Sequence, residues 1–166
     1  MRYSTNNNKA QISQAFIYIS AVLIIGAIIL LGFKGLGVIF KTNCEGQRLD
    51  FERNLIAFLD EYSDYGTVQE KSIQLPCKAK QICFVDYELL GVQLGSNELI
   101  KSDPVILSNS VDKTANIFIK GEFTEKISLS SKVKVDDTIL CVNASYGKVR
   151  LVFSGNGKSA LITPAG

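Results

Sequence analysis

The hydrophobic pattern of the chain changes twice. From Gln11 to Phe33 run 23 residues without a charge, preceded by Lys9-Ala10 and a short polar head. About 20 apolar residues are what a helix rising 1.5 Å per residue needs to cross a ~30 Å hydrocarbon layer, so the pattern predicts a transmembrane helix. Nothing after Phe40 repeats such a run. The chain therefore reads as one membrane anchor followed by a soluble domain large enough to bury a core. A cleaved secretory signal fits poorly. Its apolar core is usually about 7 to 15 residues long, and Gly32-Phe33-Lys34-Gly35-Leu36-Gly37 lacks a small-x-small cleavage pattern.

Past the anchor, Gly32, Gly35, Gly37 and Gly46 predict a kink, a frayed turn or a short break, since each glycine costs a helix roughly 1 kcal/mol relative to alanine. Helical periodicity then resumes. Leu55, Phe58, Leu59 and Tyr62 fall at i, i+3, i+4 and i+7 with Phe51 one turn earlier, and Glu52, Arg53, Asp60 and Glu61 take the other faces. This predicts an amphipathic helix packing on the sheet that follows, with Asp64-Tyr65-Gly66 as its stop.

From Thr67 onward the period shortens to that of strands. Val68 to Leu75, Gln81 to Tyr87, Ala115 to Lys120, Phe123 to Leu129, Lys132 to Val135, Thr138 to Asn143, Lys148 to Phe153 and Ser159 to Thr163 are strand candidates. Pro76, Gly121, Asp136-Asp137, Tyr146-Gly147 and Gly155-Asn156-Gly157 separate them as turns. Between Glu88 and Asp112 the pattern is irregular, with Ser102-Asp103-Pro104 as a cap for a short helix. The expected fold class is α+β: a long N-terminal transmembrane helix, an amphipathic helix, then a meandering antiparallel β-sheet or small sandwich.

Charge and composition narrow the function. All 16 acidic residues lie at or after Glu45, and no basic patch stands out, which speaks against a nucleic-acid binder. Lys126, Lys132 and Lys134 alternate with apolar residues, as solvent-facing strand positions do. The chain has no histidine. That removes His-dependent triads and His-ligated zinc chemistry, and no C-x-x-C knuckle takes their place. Ser110 with Lys113 and Ser145 with Lys148 have S-x-x-K spacing but lie on no predicted helix. Asp86 with Glu88, and Asp136 with Asp137, read as solvated carboxylates rather than an acid/base pair or a calcium site. Gly155-Asn156-Gly157-Lys158 lacks the spacing of a phosphate loop and reads as a hairpin turn. No catalytic residue, metal or cofactor is expected.

The cysteines bear on location. Cys44, Cys77, Cys83 and Cys141 all follow the anchor, and an even number in such a domain reads as two disulfides in an oxidising space. Cys83 and Cys141 sit in apolar runs that neighbouring strands would bring together, leaving Cys44 for Cys77; a Cys77 to Cys83 loop competes. The positive-inside rule does not decide the orientation, because Arg2 and Lys9 on one side of the run are matched by Lys34 and Lys41 on the other. The cysteines place the amino terminus in the cytoplasm and the domain outside. Asn143-Ala144-Ser145 is then a glycosylation candidate at Asn143.

Lys9-Ala10-Gln11-Ile12-Ser13-Gln14, set against the start of a long apolar helix, resembles the processing site of archaeal type IV pilin-like proteins with a class III signal peptide. The resemblance implies cutting between Ala10 and Gln11 by a prepilin-type peptidase, with Lys9 setting recognition and Ala10 fitting a narrow site. Ala15 departs from it, for many pilins carry Glu at the fifth mature position. The soluble part is similar to an uncharacterised archaeal membrane-anchored group in Asp64-Tyr65-Gly66, Ile82-Cys83-Phe84-Val85-Asp86, Asn116-Ile117-Phe118 and Leu140-Cys141-Val142-Asn143. The implied organisation is a leader at 1–10, an anchor helix at 11–41 and an extracytoplasmic helix plus β-domain at 42–166.

The expected function is a structural subunit of a cell-surface filament, not an enzyme. Its partners are the lipid bilayer, the peptidase and other copies of itself. Self-assembly would use close contact at Ser20, Ala21, Gly26 and Ala27 and apolar burial along Ile17, Leu23, Ile24 and Ile28. The alternative is a single-pass membrane-anchored binding domain that does not polymerise.

Overall fold

The computed structural model describes residues 8–92 and 97–165, with side chains described outside 8–15 and 33–42. The chain falls into two compact units, Met1–Asn43 and Cys44–Gly166. Helix α1 spans Asn8–Glu61 and is followed by eight strands. These are β1 (Val68–Gln74), β2 (Gln81–Val85), β3 (Ile117–Lys120), β4 (Thr124–Ser128), β5 (Val133–Val135), β6 (Ile139–Asn143), β7 (Lys148–Gly155) and β8 (Ala160–Pro164). A 3₁₀ turn at Tyr87–Leu89, then α2 (Glu98–Lys101) and α3 (Pro104–Val111), lie between β2 and β3.

Two expectations for the helical part are corrected. Among the described residues no helix is long and apolar enough to cross a membrane. The expected transmembrane helix is overturned by this finding, and the single-pass placement resting on it is left without support. The expected break is absent as well, because α1 runs through Gly32, Gly35, Gly37 and Gly46. Isolated glycines weaken a helix by about 1 kcal/mol each but leave its hydrogen-bond ladder available. The amphipathic stretch around Leu55 is accordingly the last part of α1.

The strands form two four-stranded sheets, β1-β7-β8-β5 and β4-β3-β2-β6. The arrangement is a two-sheet sandwich, one of the two forms expected, but it is not wholly antiparallel, since β5 pairs with β8 in parallel. A parallel neighbour cannot be reached by a hairpin. Here β6 and β7 come between β5 and β8 in sequence, β6 in one sheet and β7 in the other.

One core joins Phe51, Leu55 and Leu59 of α1 to Ile73, Val149, Leu151, Phe153 and Ile162 of the first sheet and Ile82, Phe84, Ile117 and Ile119 of the second. The far face of the second sheet carries another core, where Cys83, Val85 and Phe118 meet Ile100 of α2 and Ile106 of α3. The period of two along a strand sends Ile82 and Phe84 to one core and Cys83 and Val85 to the other, so β2 reads as an unbroken apolar run.

Helix α3 begins where the Ser-Asp-Pro pattern predicts. Asp103 is its N-cap and accepts hydrogen bonds from the Val105 and Ile106 amides at 3.2 and 3.3 Å. Its other oxygen receives the Thr124 hydroxyl at 2.7 Å and pairs with Lys120 Nζ at 2.8 Å. Burial alone would raise the Asp103 carboxyl, but the Lys120 ammonium, the Thr124 hydroxyl and the Ile106 amide outweigh it and hold it below the ordinary 3.8. A carboxylate depressed in the folded state adds stability above its unfolded value, and this is lost as pH falls through the lower folded value. Asp103→Ala is expected to cost about 2–4 kcal/mol at pH 7 through the lost cap and the Lys120 ammonium deprived of this carboxylate. In urea titrations its gap from wild type should narrow as pH drops below the ordinary carboxylate value.

Candidate functional site

Two regions stand apart from what folding requires. The first is the apolar run of α1. Phe16, Ile17, Ile19, Val22, Leu23, Ile24, Ile25, Ile28, Leu30 and Leu31 are all at least 57% exposed. Val22 to Ile25 are consecutive, and successive residues of a helix point about 100° apart, so large apolar side chains face outward on every side. The four large residues expected to pack, Ile17, Leu23, Ile24 and Ile28, are among the exposed ones. Ser20 and Gly26 are half-buried, Ala21 and Ala27 are exposed, and nothing lies within 4 Å of where a Gly26 Cβ would be. Lys9, Ala10 and Gln11 lie in α1, but their side chains fall outside the described residues. The rest of the expected leader, 1–7, lies outside them altogether.

The second region is a braced cleft in the domain. Disulfides join Cys44 to Cys77 and Cys83 to Cys141. Cys83 and Cys141 face each other across β2 and β6 with Cα atoms 4.1 Å apart, while Cys44, on α1, holds the turn after β1. These bonds fit a domain that matures in an oxidising, extracellular or secreted setting. The Cys77 turn, Pro76 to Ala79, closes with an Ala79 N–H to Pro76 carbonyl bond of 2.9 Å, and both central residues are left-handed, Cys77 at φ 55° and Lys78 at φ 58°.

A second tight turn lies nearby. Ser145 and Lys148 exchange backbone hydrogen bonds around Tyr146 at φ 51° and Gly147 at φ 75°. Two-residue turns of this mirror-image type favour Asn, Asp and Gly, not tyrosine. Between the turns is a cleft of about 420 Å³ lined by Gln47, Gln74, Lys78, Lys80, Tyr146 and Gly147, with Ala79 and Ala144 among its walls.

Local contacts fix these walls. The Gln47 side-chain oxygen accepts the Cys77 amide at 3.4 Å, and Gln74 Nε2 donates to the Gly147 carbonyl at 2.9 Å. Gly147 suits the turn through its φ of 75°, and an added Cβ there would come within 2.8 Å of Gln74 Nε2, the end of a flexible side chain. Tyr146 is fully exposed at 101%. Sequence reasoning placed the Tyr146-Gly147 turn but not the cleft, because its two turns are separated by the whole of β2 to β6. The signal for it was tyrosine in a position suited to Asn or Gly.

The remaining candidates separate. Asp86 is buried and accepts the Glu88 amide at 2.8 Å as the cap of the 3₁₀ turn, while Glu88 pairs with Lys134 at 3.1 Å. The two carboxylates thus serve different partners. Asp136 and Asp137 are exposed, and among the described residues no cluster could hold a metal ion. Ser110 does lie on a helix, α3, where its hydroxyl is buried without a partner, and Lys113 sits beyond the helix end at φ 56° with its stem against Gly91. Lys132 pairs with Asp60 at 3.0 Å. Asn143 is exposed at the end of β6, its side-chain oxygen accepting from Gln81 Nε2 at 2.9 Å. The chain matches no protein-family model, no curated protein and no solved structure.

Proposed function

We propose that the protein is a structural subunit of a cell-surface filament, of the archaeal type IV pilin-like kind, cut before Gln11 by a prepilin-type peptidase. The observation that carries this reading is the helix whose large apolar side chains are exposed on all sides. A stripe on one face would call for one partner; exposure all round calls for neighbours on every side. Copies of the same helix supply them. Each large side chain so covered contributes roughly 1.5–3 kcal/mol, and the small residues Ser20, Ala21, Gly26 and Ala27 let backbones approach. Ala15 offers no carboxylate to pair with a neighbouring amino terminus, so assembly rests on apolar contact alone.

The disulfide-bonded domain supports the same reading, because it provides an outer surface suited to an oxidising exterior. The protein does structural work in this account. The processing step is tested by intact-mass measurement of the protein recovered from cells. The expected chain begins at Gln11 and carries both disulfides; a chain still carrying Arg2 to Ala10 would remove the pilin-like reading.

A further inference from the structure

We propose that the cleft between the Cys77-Lys78 and Tyr146-Gly147 turns binds an acidic saccharide, with Lys78 and Lys80 holding its carboxylates and Tyr146 lying against a sugar ring. The inference rests on the surface-contact part of the filament reading only for its use, since the site lies within one chain. Among the described residues four non-glycine residues are left-handed, and three of them, Cys77, Lys78 and Tyr146, form the two turns beside this cleft. Strain concentrated at one place is what a ligand site retains and what a turn serving folding alone would shed.

The chemistry of the walls selects the ligand. No carboxylate lines the cleft, and Lys78 and Lys80 have no acidic partner among the described residues, so an anion meets two uncompensated ammonium groups. Gln47 spends its oxygen on Cys77 and Gln74 its amino group on Gly147, which leaves the amino group of one and the oxygen of the other for a ligand. A donor, an acceptor, a phenol and a bare ring face are the equipment for a polyhydroxylated ring. Gln47 and Gln74 also line a neighbouring groove of about 270 Å³, whose other walls include Phe51, Asn54, Phe58, Ser72 and Pro76. A chain of sugars therefore fits better than a single one. Many copies along a filament would multiply a weak single-site affinity.

The test is calorimetric titration of the full chain, dispersed as single molecules, with a galacturonic acid hexamer and with the uncharged galactose hexamer. Wild type is expected to bind the acidic hexamer saturably, less tightly as salt rises, and to bind the neutral one at least tenfold more weakly. Lys78→Asn with Lys80→Gln should lose at least tenfold and most of the salt dependence. Tyr146→Asn should lose at least tenfold while its Tm stays level or rises, because Asn suits the turn better; a tyrosine needed only for folding would move Tm instead. The proposal is overturned by absence of saturable binding, by equal binding of both hexamers, by variants that bind as wild type does, or by a polyphosphate of equal charge binding as tightly. These readouts do not depend on cutting before Gln11, so failure here leaves the filament reading standing and its failure leaves this one.

Discussion

Gly155→Ala is expected to be the most damaging single substitution in the domain, costing about 3 kcal/mol or more. An added Cβ would land on the Asp64 carbonyl oxygen and would also come within 2.5 Å of Thr67 Oγ1 and 2.7 Å of the Tyr62 carbonyl oxygen. Two of these are backbone atoms in the turn just after α1, which cannot swing aside as a flexible side chain would. They are held by the same junction: Gly66 donates to the Gly155 carbonyl at 3.2 Å, Gly155 donates to Thr67 at 2.8 Å, and Gly157 donates to Ser63 at 2.9 Å. The end of β7 and the β7–β8 turn thus brace the segment that follows α1, the helix that carries Phe51, Leu55 and Leu59 into the core. Thermal unfolding followed by circular dichroism should show Tm lowered by roughly 10 °C; a change under about 2 °C would show that the junction yields.

Removing the Cys83–Cys141 bond by serine at both positions should cost about 4 kcal/mol. The bond closes a loop of 58 residues, and constraining a loop of that length lowers the entropy of the unfolded chain by about that amount. The cross-strand pair sits between β2 and β6, with Cys83 wholly buried beside Val85 and Phe118. Two hydroxyls there add a desolvation cost of about 1–3 kcal/mol each where they find no partner. The Cys44–Cys77 bond spans 33 residues and lies nearer the surface, so its loss should cost less stability. Urea unfolding of both double-serine variants ranks them; a larger loss for the Cys44–Cys77 variant would contradict this ordering.

Much of the domain was legible as local pattern. All eight strands fall where alternating apolar residues and turn signals put them, and Asp103-Pro104 marked the start of α3, because period, caps and turns are properties of neighbouring residues. The sheet order was not. The parallel contact of β5 with β8 and the division into two sheets depend on pairings distant in sequence, which alternation does not encode. The glycines of α1 misled in the opposite direction, since their cost is local and small beside a continuous ladder. Apolarity from Gln11 to Phe33 was plain, yet it could not say what surrounds the segment. Among the described residues no helix is long and apolar enough to cross a membrane. The cleft stayed hidden because Gln47, Gln74, Lys78 and Tyr146 look like ordinary surface residues until the fold gathers them.

Self-assembly through the apolar helix is the claim on which the functional account stands. It is tested most directly by measuring how much of the chain appears in filaments sheared from cells, for wild type and for Ile24→Glu. Ile24 is 60% exposed, so a carboxylate there leaves the domain's own cores untouched, and burying it unpaired among copies costs several kcal/mol per subunit. The predicted result is wild-type chain in the filament fraction and the Ile24→Glu chain absent from it, with domain Tm unchanged. Filaments containing the variant at wild-type yield, or wild-type chain found only as single molecules, would contradict it.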